Sequence, residues 1–175
     1  MSVVHGADAP SFELPATDGS ICSLDGLLEG GIAVVVFTCN HCPYAKAWEE
    51  RMLAVGRDYF GNGVGVAAIN SNDAIAYPED SFEEMCKRAV ERDYPIQYAY
   101  DESQEVARAF GATKTPEVFV IDSNRSIRYS GLIDDNEDES QVSKQHLRDT
   151  LDALLAGDDI DIVATEAAGC TIKWK

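Results

Sequence analysis

The 175-residue sequence predicts an α/β domain in which a mixed central sheet carries helices on both faces. Three observations carry that class. The run "IAVVVF", Ile32 to Phe37, is apolar throughout, as a strand buried on both faces must be. It leads almost at once into residues with helical apolar spacing, and strand-like and helical runs then alternate. After Gly111, two strand-like runs joined by "DSNR" precede a closing helix, which requires a hairpin beside the parallel crossovers.

Each element has its own signal. The first long helix starts near Pro43, a residue favoured in a first turn, and Tyr44, Trp48, Met52, Val55 and Tyr59 recur along one predicted core face. "VGVAAIN", Val64 to Asn70, is the next strand. Ser81 and Glu84 form a possible capping box for a second helix with the stripe Phe82, Met85, Cys86, Ala89 and Val90. A short helical turn over Ser103 to Phe110 ends at Gly111. "EVFVID", Glu117 to Asp122, and "SIRYSGL", Ser126 to Leu132, are the hairpin strands. The last helix spans about Ser143 to Ala156, with Leu147, Leu151, Leu154 and Leu155 on one side, and stops at Gly157.

Composition limits the function. The hydrophobic content of 45% suffices for one core, and no apolar run approaches a membrane span or a secretory leader, so a cytoplasmic protein without membrane association is expected. Asp and Glu number 31 against 14 Lys and Arg, a net charge of −17 that excludes nucleic acid as an expected partner. Five cysteines, an odd and sparse set, argue against a secreted disulfide scaffold.

The chemistry concentrates in "FTCNHCPYAKAWEERM", Phe37 to Met52, where two cysteines stand two residues apart at the passage from strand to helix. A thiol must ionise to attack a disulfide, and a helix N-terminus stabilises a thiolate through unpaired N–H groups and the dipole. Cys39 is the expected nucleophile. Cys42, a helical turn on, is the expected resolving thiol, which attacks the mixed disulfide on Cys39 and leaves a Cys39–Cys42 bridge. His41, if protonated, adds positive charge beside the thiolate. No metal and no organic cofactor are expected, because Cys86, Cys170, His5 and His146 offer no second close-spaced ligand pair. Cys22 and Cys86 read as small buried hydrophobes, and "DDNEDE", Asp134 to Glu139, as a solvated loop.

A buried strand ending in C-x-x-C, with "KTPEVFVID" later in the chain, resembles the thioredoxin fold. The opening "GADAPSFELPATDGSICSLDGL" is similar to the N-terminal hairpin of its redoxin branch, the AhpC/TSA peroxiredoxin and TlpA/ResA-like proteins. "AINSNDAIAYPEDSFEEM", "YDESQEVARAFGATKTPEVFVID" and "GCTIKWK" resemble the peroxiredoxin-like thioredoxin-family proteins of bacteria and archaea. The resemblance implies one thioredoxin-like domain over 1–175, with an N-terminal hairpin extension over 1–30 and a tail over 158–175. It also implies a cis peptide at Thr115-Pro116 beside the cysteines, where the Thr115 backbone pairs with an extended substrate and Pro116 keeps metal away. His41 and Pro43 then support a dithiol that exchanges electrons with protein or small-molecule disulfides. A thioredoxin-reductase-type or low-molecular-weight thiol reductant completes the cycle.

Departures from the family pattern are specific. Thr38 replaces the tryptophan that thioredoxins place before the first cysteine, and Asn40-His41 replaces their Gly-Pro. The buried acid of thioredoxins has no counterpart in "IAVVVF", which leaves Glu49 or Glu50 as candidate proton acceptors. An antioxidant thiol peroxidase is the alternative function, although the P-x-x-x-T-x-x-C pattern of peroxiredoxins would need Thr and Pro where Val36 and Ile32, or Cys39 and Val35, stand. A non-catalytic binding protein of the same fold is a third. Cys170 is expected to be buried where Ile172 and Trp174 anchor the tail, too far from Cys39 to bridge it directly, with a third redox thiol as the sharper possibility.

The acidity is read as adaptation to a salty cytoplasm and, with the resemblance, implies a halophilic, haloarchaeal chain. Carboxylate repulsion is screened as the Debye length falls to about 3 Å at molar salt, so the melting temperature should rise markedly between about 0.1 M and a few molar KCl. A salt-independent melting curve would remove that expectation.

Overall fold

The computed structural model describes residues 5–175. The N-terminal hairpin pairs β1 (Glu13–Pro15) with β2 (Ile21–Ser23), and a short α1 (Leu24–Leu27) follows, capped by the Ser23 hydroxyl. Then come β3 (Ile32–Thr38), α2 (Pro43–Asp58), β4 (Val64–Asn70), α3 (Phe82–Glu91) and β5 (Gln97–Tyr100). The second half has α4 (Glu105–Phe110), β6 (Lys114–Thr115), β7 (Glu117–Ile121), β8 (Ile127–Gly131), α5 (His146–Ala156) and β9 (Cys170–Thr171).

The central sheet has the order β5-β4-β3-β7-β8, with β3, β4 and β5 parallel and β7 and β8 antiparallel to their neighbours. It is therefore the mixed sheet the sequence predicts, and it is thioredoxin-like. Every residue of β3 is buried, because the pleat sends alternate side chains into two different cores. Ala33, Val35 and Phe37 join the N-terminal hairpin, α1 and α4; Val34 and Val36 face Trp48, Met52, Leu147 and Leu151 of α2 and α5. The strand's C-terminal end, and the cysteines beyond it, is thus fixed from both sides.

Several details differ from expectation, each for a visible reason. Tyr44 and Val90 lie at the margins of their helical stripes and are exposed, while Met85 alone of the α3 stripe is fully enclosed. Cys86 is only half-buried, its thiol donating to the Thr17 carbonyl. The last helix begins at His146 and not near Ser143, because Asp135 binds the backbone N–H groups of Ser143 and Lys144. The acidic loop is not merely solvated: Asp134 is fully buried and accepts from the Trp48 indole and from Arg51 at 2.7 Å each. No helix among the described residues is long and apolar enough to cross a membrane.

Candidate active site

Cys39 follows directly on β3, and Cys42 is the N-cap residue of α2, with Pro43 in the first turn. The two cysteines lie 4.5 Å apart. The sequence places Cys39 at the helix N-terminus, but the structure gives that place to Cys42 and leaves Cys39 in the preceding turn. Cys39 is nevertheless a target of backbone N–H groups, those of Cys42 and His41, which favour its thiolate.

Thr115 faces both sulfurs. Its hydroxyl lies 3.6 Å from Cys39 Sγ, and its carbonyl oxygen lies 3.8 Å from Cys42 Sγ. The Thr115-Pro116 peptide is cis, as the resemblance implies. The strand edge of Thr115 is occupied by the chain's own tail: β6 pairs antiparallel with β9, with Thr115 opposite Cys170. The place expected to receive a substrate strand is therefore filled.

That pairing brings a third sulfur into the site. Cys42 and Cys170 form a disulfide with Cα atoms 6.3 Å apart, inside the distance a bridge requires. Cys39 remains a free thiol. The structure thus corrects the expected pairing: the bridge joins Cys42 to the tail instead of Cys39 to Cys42. Contrary to the expectation of a buried cysteine set apart from the site, Cys170 is half-buried and packs against Cys39 and Cys42, while Ile172 is buried with Trp174 packed against the larger core.

Around Cys39 the electrostatics run against the simple helix-terminus picture. Burial raises the Cys39 thiol pKa above the ordinary cysteine value, the Asp80 charge raises it further, and the Thr115 hydroxyl with the two backbone N–H groups opposes them. Burial contributes most, and the balance of charges acts in the same direction. A carboxylate at about 5 Å acts with roughly 3 kcal/mol at an effective dielectric of 20, whereas a helix terminus supplies typically about 0.3–1 kcal/mol. Cys22 behaves as the expected core residue, its thiol pushed up to about 12 by burial.

Asp80 is the site residue that the sequence did not reveal. It is fully buried, and its carboxylate accepts from the Asn40 backbone at 2.7 Å, from Asn70 at 3.1 Å, from Asn72 at 2.9 Å and from the His41 ring. Tyr98, also enclosed, donates to the Asn40 side chain at 2.7 Å. His41 stacks on Tyr77, with ring centroids 5.3 Å apart. The His41 ring is therefore engaged by Asp80 on one side and Tyr77 on the other. Glu49 is held by Arg88 and Tyr94, and Glu50 lies exposed beside Arg57, so neither is the buried acid of this site.

Ligand atoms of Cys39, His41 and Asp80 lie within 4.8 Å of one another, donors of the kinds zinc accepts. The absence of a second close-spaced pair did not test for this trio, because Asp80 lies far along the chain. Both Asp80 oxygens are already engaged by protein donors, which makes the group a hydrogen-bonded network first.

Comparison with known proteins follows the same lines. The model of the AhpC/TSA family matches residues 5–130. An uncharacterized conserved protein of Geobacillus kaustophilus is 40% identical, with 98% of this chain and 93% of that one covered and a TM-score of 0.93. A hypothetical protein of Sinorhizobium meliloti 1021 is 35% identical over 100% and 97%, also with a TM-score of 0.93. A peroxidoxin of Mycobacterium tuberculosis, 20% identical over 87% and 94% with a TM-score of 0.64, shares the fold. No protein of curated function matches the chain.

The sign of the Asp80 effect is directly testable. Asp80→Asn removes a negative charge that raises the Cys39 pKa, so the pH midpoint for alkylation of Cys39 should move down and its labelling at neutral pH should quicken. An unchanged or raised midpoint, measured by mass spectrometry across a pH series, contradicts the assignment.

Proposed function

The chain belongs to the AhpC/TSA family, and from that membership together with the meeting of Cys39, Cys42 and Cys170 at Thr115 we propose that it is a thiol-disulfide oxidoreductase. The observation that carries the proposal is a free Cys39 thiol 4.5 Å from a second cysteine that is itself redox-paired. Cys39 is the nucleophile. Its thiolate attacks one sulfur of a substrate disulfide and releases the other as a thiolate; Cys42 then attacks Cys39 of the mixed disulfide and releases the second substrate thiol. Both protein cysteines have then given one electron each to the substrate.

Asp80 and His41 take the place of the missing acid in β3. Their hydrogen-bonded pair lies within reach of Cys39 and accepts its proton as the thiolate forms. The tail occupies the edge of Thr115, so substrate reaches Cys39 past His41 and Tyr77, both partly exposed. With Cys39 nearly enclosed, small-molecule disulfides or a disulfide on a narrow protein loop fit best. A thiol reductant of the thioredoxin-reductase or low-molecular-weight class closes the cycle.

One observation favours a second function, peroxide reduction. The Thr115 hydroxyl beside Cys39 stands where a leaving oxygen could be bound, although it comes from β6 and not from the expected P-x-x-x-T-x-x-C pattern. Oxidation of the reduced protein by peroxide and by a small disulfide, run in parallel, decides between them. Disulfide should be the faster oxidant, and Cys39→Ser should lower its reduction by about a thousandfold or more. Faster peroxide consumption with a Cys39 sulfenic acid would establish the peroxidase, and full activity of Cys39→Ser would overturn both.

A further inference from the structure

We propose that Cys170 is the third thiol of a relay, taking the disulfide over from Cys39 so that the tail is the port at which reducing equivalents enter. The proposal deepens the function above and rests on Cys39 being the nucleophile. Three observations converge on it: the bridge itself, the built seat of the tail, and the different exposures of the three sulfurs.

The tail is seated by contacts that do not involve sulfur. Ile172 N–H donates to the Thr113 carbonyl at 3.0 Å, and Lys173 N–H to the Asn72 side chain at 2.9 Å. The Lys173 carbonyl accepts from Asp73 N–H at 2.8 Å and from the buried Gln104 amide at 2.9 Å, and Arg108 covers the Trp174 ring. Gly169 completes the seat, since a Cβ there would come within 2.2 Å of the Thr115 carbonyl oxygen. Cys170 is consequently held at the site whether or not it is bridged. The tail also joins the Asp80 network, because the same Asn72 side chain that holds Lys173 donates to Asp80 at 2.9 Å.

Exposure separates the three roles. Cys42 is completely buried, Cys39 nearly so, and Cys170 is half-buried. An external thiol therefore meets the Cys42–Cys170 bridge at Cys170. A small oxidant meets Cys39, and Cys42 joins the two.

The electrons balance without a further oxidant. Attack of Cys39 on a substrate disulfide, followed by attack of Cys42, gives Cys39–Cys42 and two substrate thiols. The Cys170 thiolate then attacks Cys42 Sγ; the Cys42–Cys170 bond forms, the Cys39–Cys42 bond breaks, and Cys39 leaves as a thiolate that recovers a proton from the His41–Asp80 pair. The substrate gains two electrons, which come from Cys42 and Cys170, and Cys39 ends as the thiol seen in the structure. An external dithiol reduces the Cys42–Cys170 bridge and becomes a disulfide itself.

The test is a quenched time course. Fully reduced protein is mixed with hydroxyethyl disulfide, trapped with N-ethylmaleimide and mapped by mass spectrometry. Cys39–Cys42 should form first and give way to Cys42–Cys170 while Cys39 regains its reactivity towards maleimide. Cys170→Ser should stop at Cys39–Cys42 and turn over about tenfold more slowly with a dithiol reductant. A persistent Cys39–Cys42 bridge in the wild type, with Cys170 alkylated throughout, overturns the relay and leaves Cys39 as nucleophile intact. Formation of Cys42–Cys170 in Cys39→Ser at the wild-type rate overturns instead the function on which the relay rests. The wild-type course decides the matter even if Cys170→Ser folds poorly.

Discussion

The two-residue ladder between Thr115 and the tail is the contact on which the site depends. Thr115 offers its hydroxyl to Cys39, its carbonyl to Cys42 and its strand edge to Cys170. Strand edges with unpaired N–H and C=O groups recruit partners. Here the chain recruits its own C-terminal segment, and so carries Cys170 to the edge of Thr115. The sheet holds β3 from both faces, the short β6 immediately precedes β7, and the position of the sulfurs follows from these fixed neighbours.

A second constraint is the buried carboxylate of Asp80. A charge removed from water needs several donors, and Asp80 has four, from Asn40, Asn70, Asn72 and His41. That satisfaction fixes the turn carrying Cys39 against the segment after β4. After burial, Asp80 is also the second reason that the Cys39 thiol is held protonated, since the network that orders the turn places negative charge beside the sulfur. Activation on demand, by proton transfer into the His41–Asp80 pair, is the chemistry this arrangement suits.

Much of this architecture was legible in the sequence, and the limits have physical causes. The strands Ile32–Thr38 and Val64–Asn70 and the helix from Pro43 carry local patterns, apolar runs and helical periodicity, that tertiary structure had no reason to override. The C-x-x-C and Thr-Pro motifs are local patterns too, and the fold brings them together around the sulfurs. Asp80 was hidden inside "AYPEDSFEEM", where it looks like one more first-turn acid among Glu79, Glu83 and Glu84. Only the long-range approach of Asn40 and His41 distinguishes it. Asp134 was hidden in the same way in an acidic run, since its partners Trp48 and Arg51 lie on α2. The partner of Cys42 could not be read from spacing, because Cys39 is near in sequence and Cys170, 128 residues away, is near in space.

Thr115 is the point at which the account is most exposed. Thr115→Val removes the hydroxyl and leaves the backbone carbonyl and the strand pairing in place. Because that hydroxyl holds the Cys39 pKa down, the alkylation midpoint of Cys39 should move up, while disulfide mapping of the same oxidised sample should still find Cys42 joined to Cys170. An unmoved midpoint together with a Cys39–Cys42 bridge would contradict the claim that one residue organises all three sulfurs.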